Sequence, residues 1–168
     1  MAIRYDQLAN QFDERYRHQS FPGIQDWLRR LASSPGASRI LEVGCGTGHW
    51  LNILSDLPIE LIGIDPSLAM LEKARARATQ VALVCACAES IPFQARSFDL
   101  IFCINAFHHF SDPNKFLRNS RLLLGNGGRL AVFGLDPHAP GTDWYLYDYL
   151  SGASTVSFLL NHASLGVM

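Results

Sequence analysis

The chain has 168 residues, with 14 basic and 15 acidic side chains and a formal net charge of −1. That length suits one domain with one core, and the charge balance argues against a protein that grips nucleic acid by bulk attraction to phosphate, while leaving open a nucleic-acid substrate in a local cleft. Hydrophobic residues at 48% exclude a disordered chain; charged residues are sparse at 17%, and no Asp, Glu, Lys or Arg follows Asp148.

Residues 6–19 are mostly polar, with Leu8, Phe12 and Tyr16 at helical spacing. A second helix is expected over 22–32, with Pro22 near its start, Ile24, Trp27, Leu28 and Leu31 on one face, and Ser33-Ser34-Pro35-Gly36 ending it. Residues 39–43 read as a short strand that runs straight into glycines. A helix over 48–55 is stopped by Leu57-Pro58, and 60–65 is a second strand. Ser67 caps a helix carrying Leu68, Met70, Leu71 and Ala74. Third and fourth strands are expected over 81–87 and 98–105. Asp112 caps a helix with Phe116, Leu117 and Leu122 to Leu124, closed by Gly125-Asn126-Gly127-Gly128, and 129–134 is a fifth strand. Strands alternating with helices predict βαβ units and a three-layer, doubly wound, mostly parallel α/β sheet. The strands are continuous apolar runs, as expected where helices cover both faces.

Cys45, Cys85, Cys87 and Cys103 match no zinc spacing, so no metal site is expected. Three of them fall in apolar strand-like runs, which predicts buried, reduced thiols. The polar N-terminal stretch lacks an apolar signal core, and no run of apolar residues is long enough to span a membrane. Together these point to a cytoplasmic protein.

The turn after the first strand, within Leu41-Glu42-Val43-Gly44-Cys45-Gly46-Thr47-Gly48, carries the chemistry. Glycines there permit positive φ and let a ligand approach bare backbone, at the carboxyl ends of the strands where open α/β sheets bind ligands. The dinucleotide fingerprint needs its third glycine at position 49, which is His49, so a nicotinamide dehydrogenase is disfavoured. Asp65 ends the second strand, where a carboxylate can accept both hydrogens of a ribose diol. Cys87-Ala88-Glu89, leading into Ser90-Ile91-Pro92-Phe93, follows the third strand beside the same crevice, where it can border a base ring.

With these pieces in order, the chain resembles the class I S-adenosylmethionine-dependent methyltransferases of the small-molecule group. The family's successive motifs correspond to LEVGCGTG, GIDPS, CAESIPF, SFDLIFCINAFHHFSDP and LLLGNGGRLAVF. The resemblance implies a Rossmann-like sheet and a cofactor site for S-adenosylmethionine, with S-adenosylhomocysteine as product. Gly44, Gly46 and Gly48 would line the methionine and ribose, Asp65 would hold the ribose hydroxyls, and Ser67 and Met70 would flank the adenine. Ala88 and Glu89 would sit at the adenine edge, and Asn105 and Ala106 near the methionine end. Glu42, Cys45 and Pro66 complete the set, and Tyr5, Phe12 and Tyr16 resemble the family's N-terminal lid. The chain departs from the pattern at Cys87, where the family often has an Asp for the adenine amino group, so Glu89 is the alternative for that recognition. It also departs at Asn119, where a Glu is common.

The resemblance divides the chain into a lid at 1–35, a cofactor core at 36–135 and a lid or tail at 136–168. Relatives carry two more strands after the fifth, one of them antiparallel, and residues 151–168 lack a convincing strand pair. The sheet is therefore expected to lack the last one or two strands. The tail reads as a truncated product, as a natural short form whose open edge pairs with a second copy, or as an unusual edge strand; an exposed edge predicts a homodimer. His108 and His109, after the fourth strand, are the candidate general bases, against a plain packing role. Trp144, Tyr145, Tyr147 and Tyr149 either wall an apolar acceptor pocket or pack as a lid, and His138 is a loop residue within possible reach of substrate. The expected partner is a small-molecule acceptor, with no membrane. The segment Asn105-Ala106-Phe107-His108 lacks the motif of amino-group-directed nucleic-acid enzymes. The rival from another class is a cofactor-binding protein without catalysis.

Overall fold

The computed structural model describes residues 12–14, 16, 22–135 and 155–161. Among the described residues, four helices run without a break and alternate with the strands: α1 (Pro22–Ala32), α2 (His49–Leu54), α3 (Leu68–Arg77) and α4 (Pro113–Leu123). The strands are β1 (Arg39–Val43), β2 (Glu60–Asp65), β3 (Ala82–Cys85), β4 (Phe98–Ile104), β5 (Leu124–Leu135) and β6 (Thr155–Asn161). They form one sheet in the order β3-β2-β1-β4-β5-β6. The first five are mutually parallel and β6 runs antiparallel to β5. The order reverses at β1–β4, the switch point where such sheets open a crevice.

The period of two along each strand assigns side chains to opposite faces. Ile40, Leu100 and Phe102 pack with Ile24, Leu28, Trp50, Leu51 and Leu54 on the side of α1 and α2. Leu41, Val43, Ile101 and Cys103 pack with Phe116 and Leu123 of α4 on the other. The helix starts follow their caps: Ser67 Oγ accepts from the Met70 N–H at 3.2 Å, and Asp112 Oδ1 from the Lys115 N–H at 2.8 Å.

Three expectations are corrected. Gly125 to Gly128 lie within β5, which begins at Leu124 opposite Phe98; the register shifts between Phe98 and Leu100, and Gly127, at φ 77°, takes up the irregularity. β3 is a short edge strand that ends at Cys85 with no fully buried residue, so Cys85 is exposed; Cys87, expected within the strand, lies exposed in the loop beyond it, and only Cys45 and Cys103 are buried among the four free thiols. Residues 155–161 supply a strand, paired from Arg129↔Asn161 to Leu135↔Thr155, so of the three readings of the tail the edge strand is the one found, and the edge of β5 is covered rather than open. Backbone pairing with a preformed neighbour sets this strand without the patterning that periodicity looks for. Tyr5, His138 and the aromatic group Trp144, Tyr145, Tyr147 and Tyr149 lie outside the described residues.

Candidate functional site

At the carboxyl ends of β1, β2 and β4 lies a cavity of about 520 Å³. Its first wall is the glycine loop. The Gly44 and Cys45 N–H groups both donate to the Ile64 carbonyl, at 2.9 and 3.0 Å, so the loop turns tightly over β2. Gly44, at φ 75°, leaves room for nothing larger: a Cβ there would stand 2.5 Å from the Ala106 methyl, where the loop after β4 presses in. Gly48 starts α2 at φ 73° against Ala74 of α3.

Asp65 ties this loop to its neighbour. One carboxylate oxygen accepts from the Gly46 N–H and the other from the Ser67 N–H, each at 2.9 Å. The strand period turns Glu42 toward α2, where the Leu51 N–H donates to it. Glu42 is 1% exposed, and its Oε2 has no hydrogen-bond partner among the described residues. Burial, and then the charge of Asp65, push this carboxyl well above its ordinary range, with the Leu51 N–H acting the other way. Burial likewise pushes the Cys45 and Cys103 thiols up, away from the thiolate form.

The opposite wall comes from the loops after β3 and β4. Glu89 Oε1 accepts from the Ser111 N–H at 2.7 Å, the Ser111 hydroxyl at 2.9 Å and the Asp112 N–H at 3.2 Å. Partial burial raises the Glu89 carboxyl, but these donors outweigh it and hold the group below its ordinary range. Asn119 donates to the Ala88 carbonyl at 3.4 Å, so α4 braces this loop at two points. Asn105 follows β4 in the left-handed region at φ 53°, a conformation Asn tolerates better than most residues, and its N–H donates to Phe133 O at 2.7 Å. A 3₁₀ turn, Phe107–His109, follows and places His108 and His109 with ring centroids 3.8 Å apart. Burial lowers the pKa of His108.

The cavity brings together Tyr16, Glu42, Gly44, Cys45, Gly46, Asp65, Pro66, Met70, Ala88, Glu89, Asn105, Ala106, His108 and His109, as sequence reasoning grouped them. Gly48 and Ser67 stand behind its walls, as the start of α2 and the cap of α3. Trp50, Ile104, Phe110 and Ser111 also line it and were not singled out from the sequence, because each reads as an ordinary core or loop residue until the loops meet. His49, the first residue of α2, lies flat under Tyr16, with centroids 3.6 Å apart and planes within 2°.

A family model described as a methyltransferase domain matches residues 41–132, more than half of the chain. The chain belongs to the class I S-adenosylmethionine-dependent methyltransferase family. It is 36% identical over 132 residues to the tRNA (carboxymethyluridine(34)-5-O)-methyltransferase alkbh8 of Xenopus tropicalis, a match covering 77% of this chain and 20% of that protein. It is 31% identical over 138 residues to a demethylmenaquinone methyltransferase of Thermotoga maritima, covering 79% of this chain and 60% of the relative. The crystal structure of the YcgJ protein of Bacillus subtilis superposes with a TM-score of 0.64 at 32% identity, over 68% of this chain and 51% of that one. The chain thus spans between a fifth and about three fifths of the length of these relatives. Among the described residues, no helix is long and apolar enough to cross a membrane, and no group of three or more metal-ligating side chains is assembled.

Proposed function

We propose that the cavity binds S-adenosylmethionine and that the chain transfers its methyl group to a small-molecule acceptor at oxygen, nitrogen or carbon. The observation that carries this reading is Glu42. A buried carboxylate oxygen without a partner among the described residues, at the wall of a cavity, suits an ammonium group such as that of the cofactor's methionine part. The rest of the wall fits the same ligand. A carboxylate offers about four acceptor positions, so Asp65, with backbone N–H groups on each oxygen, can still receive a vicinal diol. The bare backbone of Gly44 and Gly46 admits the ribose and methionine chain; Gly48 and Ser67 set the loop's shape from behind. Pro66 and Met70 would flank the adenine, with Ala88 and Glu89 at its edge, and Asn105 and Ala106 near the methionine end. Tyr5 and Tyr16 would belong to the lid.

When bound, S-adenosylmethionine supplies an electrophilic methyl group on a sulfonium. The protein's contribution is then chiefly position: holding the acceptor atom in line and excluding water accounts for most of the rate. His108, kept neutral near pH 7 by its burial, can take the proton of a hydroxyl or enol acceptor where one must be lost, with His109 beside it. Neither Lys nor Arg lines the cavity among the described residues, while Glu42, Asp65 and Glu89 do. That lining favours a neutral or cationic acceptor over a polyanion.

The name of the Xenopus relative favours a second reading, a tRNA acceptor. Calorimetric titration with S-adenosylhomocysteine should show saturable 1:1 binding; none by the folded chain would sink the cofactor reading. Methyl transfer from labelled S-adenosylmethionine to phenols, quinols and amines, run beside total tRNA, then separates the acceptors. Label in tRNA alone would overturn the small-molecule reading, and binding without transfer to any acceptor would favour a non-catalytic binding protein. The free cysteines fit a reducing, cytoplasmic setting. Association of two copies would run along β6, now the outer strand, and light scattering on the same sample tests it.

A further inference from the structure

The N-terminal segment approaches the glycine loop through three residues that make three different contacts. Phe12 lays its ring on Gly46, where a Cβ would come within 3.3 Å of it. Tyr16 stacks on His49 and stands edge-on to Trp50 at 6.2 Å. Between them, Asp13 meets the last residue of α3: Arg77 Nη2 lies 2.5 Å from Asp13 Oδ2, and Arg77 Nη1 lies 3.1 Å from Oδ1. Thr47 closes the group. Its hydroxyl donates to Asp13 Oδ1 at 2.5 Å and accepts from Arg77 at 2.9 Å, and its carbonyl accepts from Arg77 at 3.1 Å.

This is not an ordinary surface pair. The Arg77 and Asp13 side chains are 28% and 26% exposed, the contact is two-pronged, and Thr47, at 1% exposed, is shared by both partners. Charge-assisted bonds in such a geometry are stronger than single exposed ones. None of the three residues lines the cavity, whereas Phe12 and Tyr16 on either side of Asp13 both do. The three therefore stand behind the cavity wall and fasten two of the residues that form it.

We propose that Asp13 and Arg77 are positioning residues of the cofactor cavity: closed around Thr47, their pair fastens the segment bearing Phe12 and Tyr16 to the glycine loop and sets how fast a bound S-adenosyl cofactor leaves. This rests on the cofactor reading above. Phe12 over Gly46 and Tyr16 both line the cavity, so fastening them at Asp13 keeps that wall closed on the ligand and slows its release. Breaking the pair frees Phe12 and Tyr16 and acts on the dissociation rate, while the lining groups on β1, β2 and the glycine loop stay in place.

Stopped-flow displacement of S-adenosylhomocysteine tests this on the full chain, for the wild type, Asp13→Ala, Arg77→Ala, the double variant and Asp13→Asn, with thermal unfolding on each. Each single alanine variant should speed dissociation about tenfold, the scale of a lost bond to a charged partner. The double variant should be no faster than either single one, because both remove one interaction. Asp13→Asn keeps an acceptor for Thr47 and Arg77 and should fall between. Wild-type dissociation rates in folded single variants would overturn the proposal, and so would strictly additive effects that track the loss of melting temperature. If the wild type itself fails to bind S-adenosylhomocysteine, the cofactor reading falls and takes this inference with it.

Discussion

The two walls of the cavity are built by different means. The wall from β1 and β2 is made of backbone groups satisfied by neighbouring backbone and by one carboxylate: Gly44 and Cys45 on Ile64, Gly46 and Ser67 on Asp65. It is buried, and its shape follows from glycines that no other residue can replace without strain. The wall from β3 and β4 is held by side chains near solvent, with Glu89 on Ser111 and Asp112 and Asn119 on Ala88. A rigid wall suits the invariant part of a reaction, and a wall held by side chains can be remodelled for different partners without rebuilding the fold. The proposed cofactor lies mainly against the first and borders the second at Ala88, Glu89, Asn105 and Ala106, and the proposed acceptor approaches on the second at His108 and His109.

Removing the tie of the rigid wall should have the largest effect. Asp65→Ala is expected to weaken S-adenosylhomocysteine binding about 100-fold, since it deletes a charged acceptor of the diol and orphans two N–H groups; calorimetry reads it, and unchanged affinity removes Asp65 from the site. Gly44→Ala should destabilise the fold by about 2–4 kcal/mol, from the left-handed backbone together with the clash on Ala106. Adding Ala106→Gly should recover part of that loss in urea unfolding; no recovery would mean the two loops do not meet as described.

Glu42 gives a sharper test, because stability and binding should move in opposite directions. Its folded-state pKa is raised, so the native chain holds a proton that the unfolded chain has released. Its contribution to stability is therefore lost as pH rises through the window between the ordinary carboxylate value and the raised one. Glu42→Gln should flatten that dependence and raise the melting temperature of the unliganded protein, while weakening S-adenosylhomocysteine binding about tenfold through loss of the ammonium's partner. Binding by the wild type should release a proton, read as a buffer-dependent enthalpy. The smallest effect is expected on the softer wall: Glu89→Ala should change S-adenosylhomocysteine affinity less than about threefold, because its bonds run within the protein. Hydrogen exchange should rise in residues 105–112 as well, and a large affinity loss would mean that Glu89 recognises the adenine amino group itself rather than bordering its edge.

Much of the architecture was legible in the chain. The ranges of α1, β1 and β2 agree with periodicity and capping read from sequence, because a buried strand and an amphipathic helix each leave a local pattern. Where the reading failed, the deciding interaction was not local. β3 reads as a covered strand through residue 87, yet it ends at Cys85, which its place at the sheet edge leaves exposed, and Cys87 falls in the loop beyond. Residues 155–161 are uncharged and weakly patterned, and become a strand by pairing with β5.

The site divides in the same way. Gly44, Gly46, Gly48 and Asp65 could be singled out because their roles depend on φ and on position at a strand end, both set within a few residues. The unpartnered oxygen of Glu42, the bracing of Ser111 by Glu89 and the joining of Asp13, Thr47 and Arg77 could not be. Each depends on segments far apart in the chain arriving at one place, and on the burial that turns a common charged residue into a costly one. Sequence alone determined the family, the order of elements and the loop that faces the ligand, since these are written in local backbone preferences. Only the tertiary structure decided which carboxylates are buried, which are spent on the protein's own backbone and which are held by an arginine, because partner and solvent exposure do not exist until the chain has folded.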